Sequence, residues 1–387
     1  MKKLISTFIV LNFLLLSLSV SAFSVNEDAL SINAKSALLM DYSTGEVLYS
    51  FNENERLYPA SVTKIMPMVI FMEELQKGTI KLTDTVKASA NAASKGGSQI
   101  WLKEGEIMTV DDLLKATAIG SANDAVTALG EHIAGSEEGF VKLMNEKAKA
   151  LGMKNTTFEN CSGLDDDTKN HFSTAYDIAL MSRELLKHKD ITKYTTVWMD
   201  TLRNGATELV NTNKLVRFYK GTTGLKTGTT SKAGHCISAS AERNGLHLIA
   251  VVMGSRTGNA RFESAKALLN WGFANYETVT PDFDKNLLTK VNVIKGIEKD
   301  FFPSLESLRP LTLKAGIKNK IETSVELATD VEAPVEKGQK VGTLNFTVDG
   351  EQIAQYALFA PYEVRKLKMS DTVKRLISSL TVNNNRH

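Results

Sequence analysis

A hydroxyl and an amine set three residues apart, at the opening of an apolar helical run, constrain this chain more than any other feature. The stretch is Pro59-Ala60-Ser61-Val62-Thr63-Lys64. Proline and serine both favour a helix's first turn, and Ile65-Met66 and Val69-Ile70-Phe71-Met72 carry the pattern onward. The spacing places Ser61 and Lys64 at i and i+3, on one face and within contact. A lysine there can take the serine's proton only if burial or a second cation keeps its amine neutral. Pro67 falls inside the run and removes the amide that would bond residue 63, so a kink or compensating packing is expected. Taken alone, the pair is better explained by a capping serine beside a solvated lysine.

Two further clusters change that reading. Ser121-Ala122-Asn123 stands at a break between the apolar helical faces of Leu113-Leu114 and Ala125-Val126, and Lys226-Thr227-Gly228 follows a Gly-containing turn into a strand pattern. Each alone reads as a turn or cap. Their order, Ser-x-x-Lys, then Ser-x-Asn, then Lys-Thr-Gly, is that of serine acyl-transfer sites. On these motifs the chain resembles the low-molecular-weight penicillin-binding proteins, specifically the serine D-alanyl-D-alanine carboxypeptidases, over nearly its whole length.

The rest of the chain divides by pattern. Lys2-Lys3, an apolar run from Leu4 to Val20, and Val20-Ser21-Ala22 read as an export signal over residues 1–22. The competing reading is an uncleaved anchor, but the run is short and Asn12 interrupts it. Without Lys2 and Lys3 the 46 basic residues become 44, against 44 acidic ones. Such a balance argues against nucleic acid as a partner. Residues 23–281 read as the main domain. It opens with a hairpin over 34–52 and holds a helical middle in which Thr109 and the pair Ser173-Thr174 look like caps. Hairpins follow around Lys226 and Asn244-Gly245, then a helix from Phe262 to Phe273. The fold class expected is α+β, an antiparallel sheet flanked by helices with an inserted helical subdomain.

After Pro281 the helical periods stop. Short alternating segments such as Leu344-Asn345-Phe346-Thr347-Val348 predict a small all-β domain over 282–365. Ala333-Pro334-Val335-Glu336-Lys337-Gly338 resembles the family's C-terminal domain. Residues 366–387 form an amphipathic segment and polar tail. Met369, Val373, Leu376, Ile377 and Leu380 recur at helical spacing with lysines on other faces, so residues 366–382 suit either peripheral membrane contact or packing on the domain. Cys161 and Cys236 leave a bridge open. The six histidines are scattered and no metal-binding spacing occurs, so the sequence calls for neither metal nor cofactor.

The resemblance implies roles residue by residue. Ser61 is the nucleophile and Lys64 its base, with Ser121 relaying a proton to the leaving group. Asn123 orients Lys64 or binds the peptide amide. Lys226 supplies a second cation, Gly228 lies in the same strand motif, and the backbone N–H groups of Ser61 and Thr229 form the oxyanion hole. Thr227 and Arg256 hold the terminal carboxylate, Arg256 because Met253-Gly254-Ser255-Arg256 resembles a Met-Gly-Gly-Arg stretch. Some relatives carry histidine where this chain has Thr229. The implied substrate is a peptidoglycan stem peptide ending in D-Ala-D-Ala, acted on outside the cytoplasm, with β-lactams as acylating inhibitors. A β-lactamase shares the three motifs, but no Glu-x-x-Leu-Asn segment lies between Asn123 and Lys226 to drive deacylation. A binding protein with a vestigial site is the other alternative, and the intact motifs weigh against it.

Overall fold

The computed structural model describes residues 30–166, 168–371 and 373. The export signal over 1–22 lies outside them, as do Leu376, Ile377 and Leu380. Met369 and Val373 are exposed. Among the described residues no helix is long and apolar enough to cross a membrane.

Strands β1 (Ser36–Asp41), β2 (Val47–Phe51), β3 (Thr222–Thr230), β4 (Gly234–Arg243) and β5 (Leu246–Ser255) form one antiparallel sheet in the order β2-β1-β5-β4-β3. Leu38 pairs with Val251, so the N-terminal hairpin closes against strands more than two hundred residues later. All six positions of β1 are buried. Successive side chains point to opposite faces, and here each face has its own core. Leu38 and Met40 enter one, Ala37 and Leu39 the other.

Helices α1 (Ile65–Lys77), α2 (Val110–Ala118), α3 (Asn123–Ala134), α4 (Glu137–Ala150) and α5 (Ala175–Lys187) lie between β2 and β3 in the chain, and α6 (Gly258–Asn275) follows β5. Ile65, Val69 and Phe71 of α1 share the first core with Ile249 and Val251, and Phe71 stacks on Phe140 of α4 with ring centroids 5.4 Å apart. On the opposite face, Phe262, Ala265, Leu268 and Leu269 of α6 cover Leu39, Leu248 and Val252. Each of the larger of these side chains contributes about 1.5–3 kcal/mol by leaving water. This is the α+β sandwich, with its helical insertion, that the patterns predict.

Thr109 and Thr174 accept the amides of Asp112 and Asp177 as N-caps. Ser173 instead shares a hydrogen bond with Thr156. Pro67 causes no kink. The segment Ala60–Lys64 is a 3-10 turn and α1 starts only at Ile65, so Pro67 lies in the first helical turn, where its missing amide has no intrahelical partner to lose.

Beyond α6, Tyr276–Val279 pairs with Leu311–Lys314. A three-stranded and a four-stranded sheet complete an all-β unit around Val291, Phe301 and Val335 on one side and Leu344, Phe346 and Leu358 on the other. The Thr312 hydroxyl donates to the buried carboxylate of Asp41, tying this unit to β1.

Candidate active site

The 3-10 turn sets the centre of the site. Its geometry eclipses side chains at i and i+3, and Lys64 Nζ accordingly lies 2.9 Å from Ser61 Oγ. Ala60, just before the nucleophile, is left-handed at φ 49°, a strained conformation that surrounding contacts must hold. The loop carrying Ser162 and Gly163 packs against it. A Cβ on Gly163 would lie 1.9 Å from the Ala60 carbonyl oxygen, so only glycine fits there. Asn160 Oδ1 accepts the Gly163 amide at 2.7 Å and fixes the loop. His171 fastens the other side of the turn. Its Nδ1 accepts the Glu159 amide, which leaves Nε2–H to donate to Thr63 Oγ1 at 2.9 Å. Burial holds this ring at about 4, so it stays neutral and serves as a tether.

Lys64 is fully buried. Besides Ser61, its amine contacts Asn123 Oδ1 at 2.5 Å and the Ser162 carbonyl at 2.8 Å. Both of these oxygens only accept. A neutral amine therefore spends two N–H bonds on them and turns its lone pair to the Ser61 hydroxyl. Burial pulls the amine from the ordinary lysine value to about 7, opposed by neighbouring Cys161 and Asp124. Burial, more than a second cation, is what lowers it.

Asn123 opens α3 directly after the break at Ser121, itself left-handed at φ 63°. Its Nδ2 donates to Gly96 O at 2.7 Å, which fixes the amide with its oxygen toward Lys64. Ser121 is 3% exposed. Among the described residues its hydroxyl is bonded to neither Ser61 nor Lys64, and Asn123 closes the cluster in its place.

The third motif arrives on β3. Lys226 is fully buried and donates to Thr227 O at 3.0 Å. Its amine is pushed well below the usual range by burial, then by the charges of Lys64 and Arg261. Thr227 Oγ1 donates to Thr212 Oγ1 at 2.7 Å. Gly228 meets the Ser61 turn so closely that a Cβ would lie 2.8 Å from both Pro59 O and Ser61 N. Thr229 follows, exposed, its hydroxyl 3.2 Å from His235 Nδ1.

Arg256 is exposed beyond the end of β5, and among the described residues no hydrogen bond joins it to the cluster. The guanidinium beside the site belongs to Arg261, which is 9% exposed. Its Nη1 donates to Gly228 O, Thr229 Oγ1 and Cys236 O, while its buried Nε has no partner among the described residues. Sequence reasoning missed it. A signal existed: Arg261, Ala265 and Leu268 fall on one stripe of α6, where a charge is out of place unless it has a task. Cys161 and Cys236 are free and buried.

A half-buried serine, a lysine kept near neutrality and a backbone strand pressed against the nucleophile define a serine hydrolase acting through an acyl-enzyme. Comparison with known proteins narrows the class. Residues 22–257 match the D-alanyl-D-alanine carboxypeptidase family and residues 276–366 the penicillin-binding protein 5 C-terminal domain. The chain is 44% identical to D-alanyl-D-alanine carboxypeptidase DacF of Bacillus subtilis over 98% of its own length and 99% of that protein's. It is 36% identical to DacC of Escherichia coli, covering 89% of this chain and 88% of that one. Penicillin-binding protein 5 of Haemophilus influenzae superposes with a TM-score of 0.77 at 32% identity, over 87% of this chain and 98% of the other. Penicillin-binding protein D2 of Listeria monocytogenes, solved in its ampicillin-bound form, aligns at 0.58 and 32% identity over 63% of this chain and 99% of its own. The chain belongs to the D-alanyl-D-alanine carboxypeptidase family, and it is a serine hydrolase of that kind.

Proposed function

We propose that Ser61 removes the terminal D-alanine from peptidoglycan stem peptides, with Lys64 as its base. The observation that carries this reading is the amine of Lys64, 2.9 Å from Ser61 Oγ and held by two acceptor-only oxygens. Ser61 Oγ attacks the penultimate carbonyl as its proton passes to Lys64 Nζ. The oxyanion lies between the backbone N–H groups of Ser61 and Thr229. Collapse breaks the C–N bond, and the proton on Lys64 Nζ passes to the departing D-alanine nitrogen. Water then hydrolyses the ester by the reverse proton path. Asn123 keeps the base aimed.

Thr227 and Arg261 serve the substrate's carboxylate, Arg261 because its Nη1 donates to Gly228 O and Thr229 Oγ1 and brings a cation to that end of β3. Arg256 lies beyond the end of β5 with no hydrogen bond to the cluster among the described residues. Lys226 gains its proton when the substrate's negative charge arrives. β-Lactams present the same acyl and carboxylate groups and acylate Ser61, in keeping with the ampicillin-bound relative. The protein works outside the cytoplasm after removal of residues 1–22, and residues 366–382 touch the membrane surface.

Two measurements test this. Penicillin treatment should add its mass to the tryptic peptide containing Ser61. Free D-alanine should appear from diacetyl-Lys-D-Ala-D-Ala and disappear in Ser61→Ala. Fast nitrocefin turnover would instead favour a β-lactamase.

A further inference from the structure

A tryptophan that is 75% exposed and also left-handed, with φ 61°, is costly twice over. Its apolar surface stays in water, and its Cβ crowds the backbone. Trp101 combines both costs, yet the chain around it is fastened. The buried carboxylate of Asp124 accepts the amides on either side, Ile100 N at 3.1 Å and Leu102 N at 2.9 Å. Arg203 Nη1 donates to Ile100 O at 2.8 Å. Ile100 and Leu102 are buried while the residue between them stands in solvent. The backbone thus presents this indole to solvent; it has not merely failed to bury it.

Its location gives the presentation a purpose. Asp124 directly follows Asn123, and the two divide their tasks at the start of α3. Asn123 holds Lys64, and its own amides reach Ser98 O and Gly96 O of the Trp101 loop. Residues 96–98 are therefore fixed to the residue that holds Lys64, and Trp101 stands three residues further along the same fastened loop.

We infer that Trp101 is a subsite for the residue preceding D-Ala-D-Ala, its indole packing along the methylenes of a long side chain there. The inference rests on Ser61 being the acylated residue. It makes Trp101 a specificity-determining contact, set apart from the bond-breaking groups.

The test uses the whole protein and two substrates, diacetyl-L-Lys-D-Ala-D-Ala and acetyl-L-Ala-D-Ala-D-Ala. Glycine tolerates the left-handed backbone, so Trp101→Gly should fold and melt no lower than wild type. Losing the contact should cut kcat/KM on the lysyl peptide about tenfold. Turnover of the alanyl peptide and acylation by penicillin should stay within about twofold, and Trp101→Phe should recover most of the loss. Equal losses on both peptides would mark Trp101 as merely supporting the loop and overturn the subsite, as would no loss on either. Absence of D-alanine release by the wild type from both peptides would overturn the Ser61 reading itself, and the subsite with it.

Discussion

A Cβ placed on Gly228 would lie 2.8 Å from the backbone nitrogen of Ser61. The β3 strand and the nucleophile's turn thus meet with only hydrogens between them, and the proposed oxyanion hole lies where they meet. Gly228→Ala should push the strand off the turn and misplace one donor. Acylation of Ser61 by penicillin is expected to fall on the order of a hundredfold with far-ultraviolet dichroism unchanged. A variant acylating at the wild-type rate would remove this contact from the mechanism.

The amine of Lys64, brought to about 7 by burial, sets the pH dependence. Below that value it holds a proton and cannot accept one from Ser61. The second-order acylation rate should therefore rise tenfold per pH unit on the acid side and level off above about 7. Stability follows the same sign. Between about 7 and the ordinary lysine value the unfolded chain binds a proton that the folded chain refuses, so this group's contribution grows as pH rises. Acylation independent of pH from 5 to 9 would contradict both statements.

Asn123→Asp keeps an acceptor beside Lys64 but adds a negative charge at 2.5 Å. Opposite charge favours the ammonium, by about one to three pKa units at such range. The acid limb of the acylation profile should move upward accordingly, leaving the variant about fivefold or more slower at pH 7 and recovering as the pH rises past the new value. A uniform loss at every pH would mean that Asn123 acts on the substrate and not on the base.

The two arginines should separate cleanly. Arg261→Ala removes the donor to Gly228 O, Thr229 Oγ1 and Cys236 O, of which the two carbonyls are buried. Unpaired buried acceptors cost about 1–3 kcal/mol each before relaxation, so a lower melting temperature and a raised KM are expected together. Arg256→Ala, on the surface, should leave stability within about 0.5 kcal/mol and KM unchanged. Steady-state kinetics beside thermal melts of both variants will tell.

Both thiols are fully enclosed, and burial raises Cys161 to about 12 and Cys236 to about 11. Thiolates are the reactive species. Ellman's reagent should find neither cysteine at pH 8 in the native protein and both in guanidinium. Reaction of the folded protein with one equivalent would show a channel to one of them.

What the sequence made legible was local. Thr109 and Thr174 announce helix starts through their caps, Asn244-Gly245 announces a hairpin, and Ser61 with Lys64 announces a shared face. Two things escaped for physical reasons. The partner of β1 could not be read because β1 is buried on both faces and its register with β5 is set across the whole domain. The groups completing the site were equally hidden. Ser162 acts through a backbone carbonyl, which any residue type supplies, and Arg261 acts through a helix position that only packing identifies. Arg256 drew attention by its neighbours, and the chain turns it outward.

The proposed proton acceptor of this enzyme is a lysine whose hold on a proton is weakened because it is buried away from water. Such a catalyst fails by wetting. A loosening of the Ser162 or Gly96 segments by the width of one solvent molecule would recharge the amine and silence the hydroxyl while the sandwich remained intact. Mild urea should therefore extinguish acylation well before it melts the sheet.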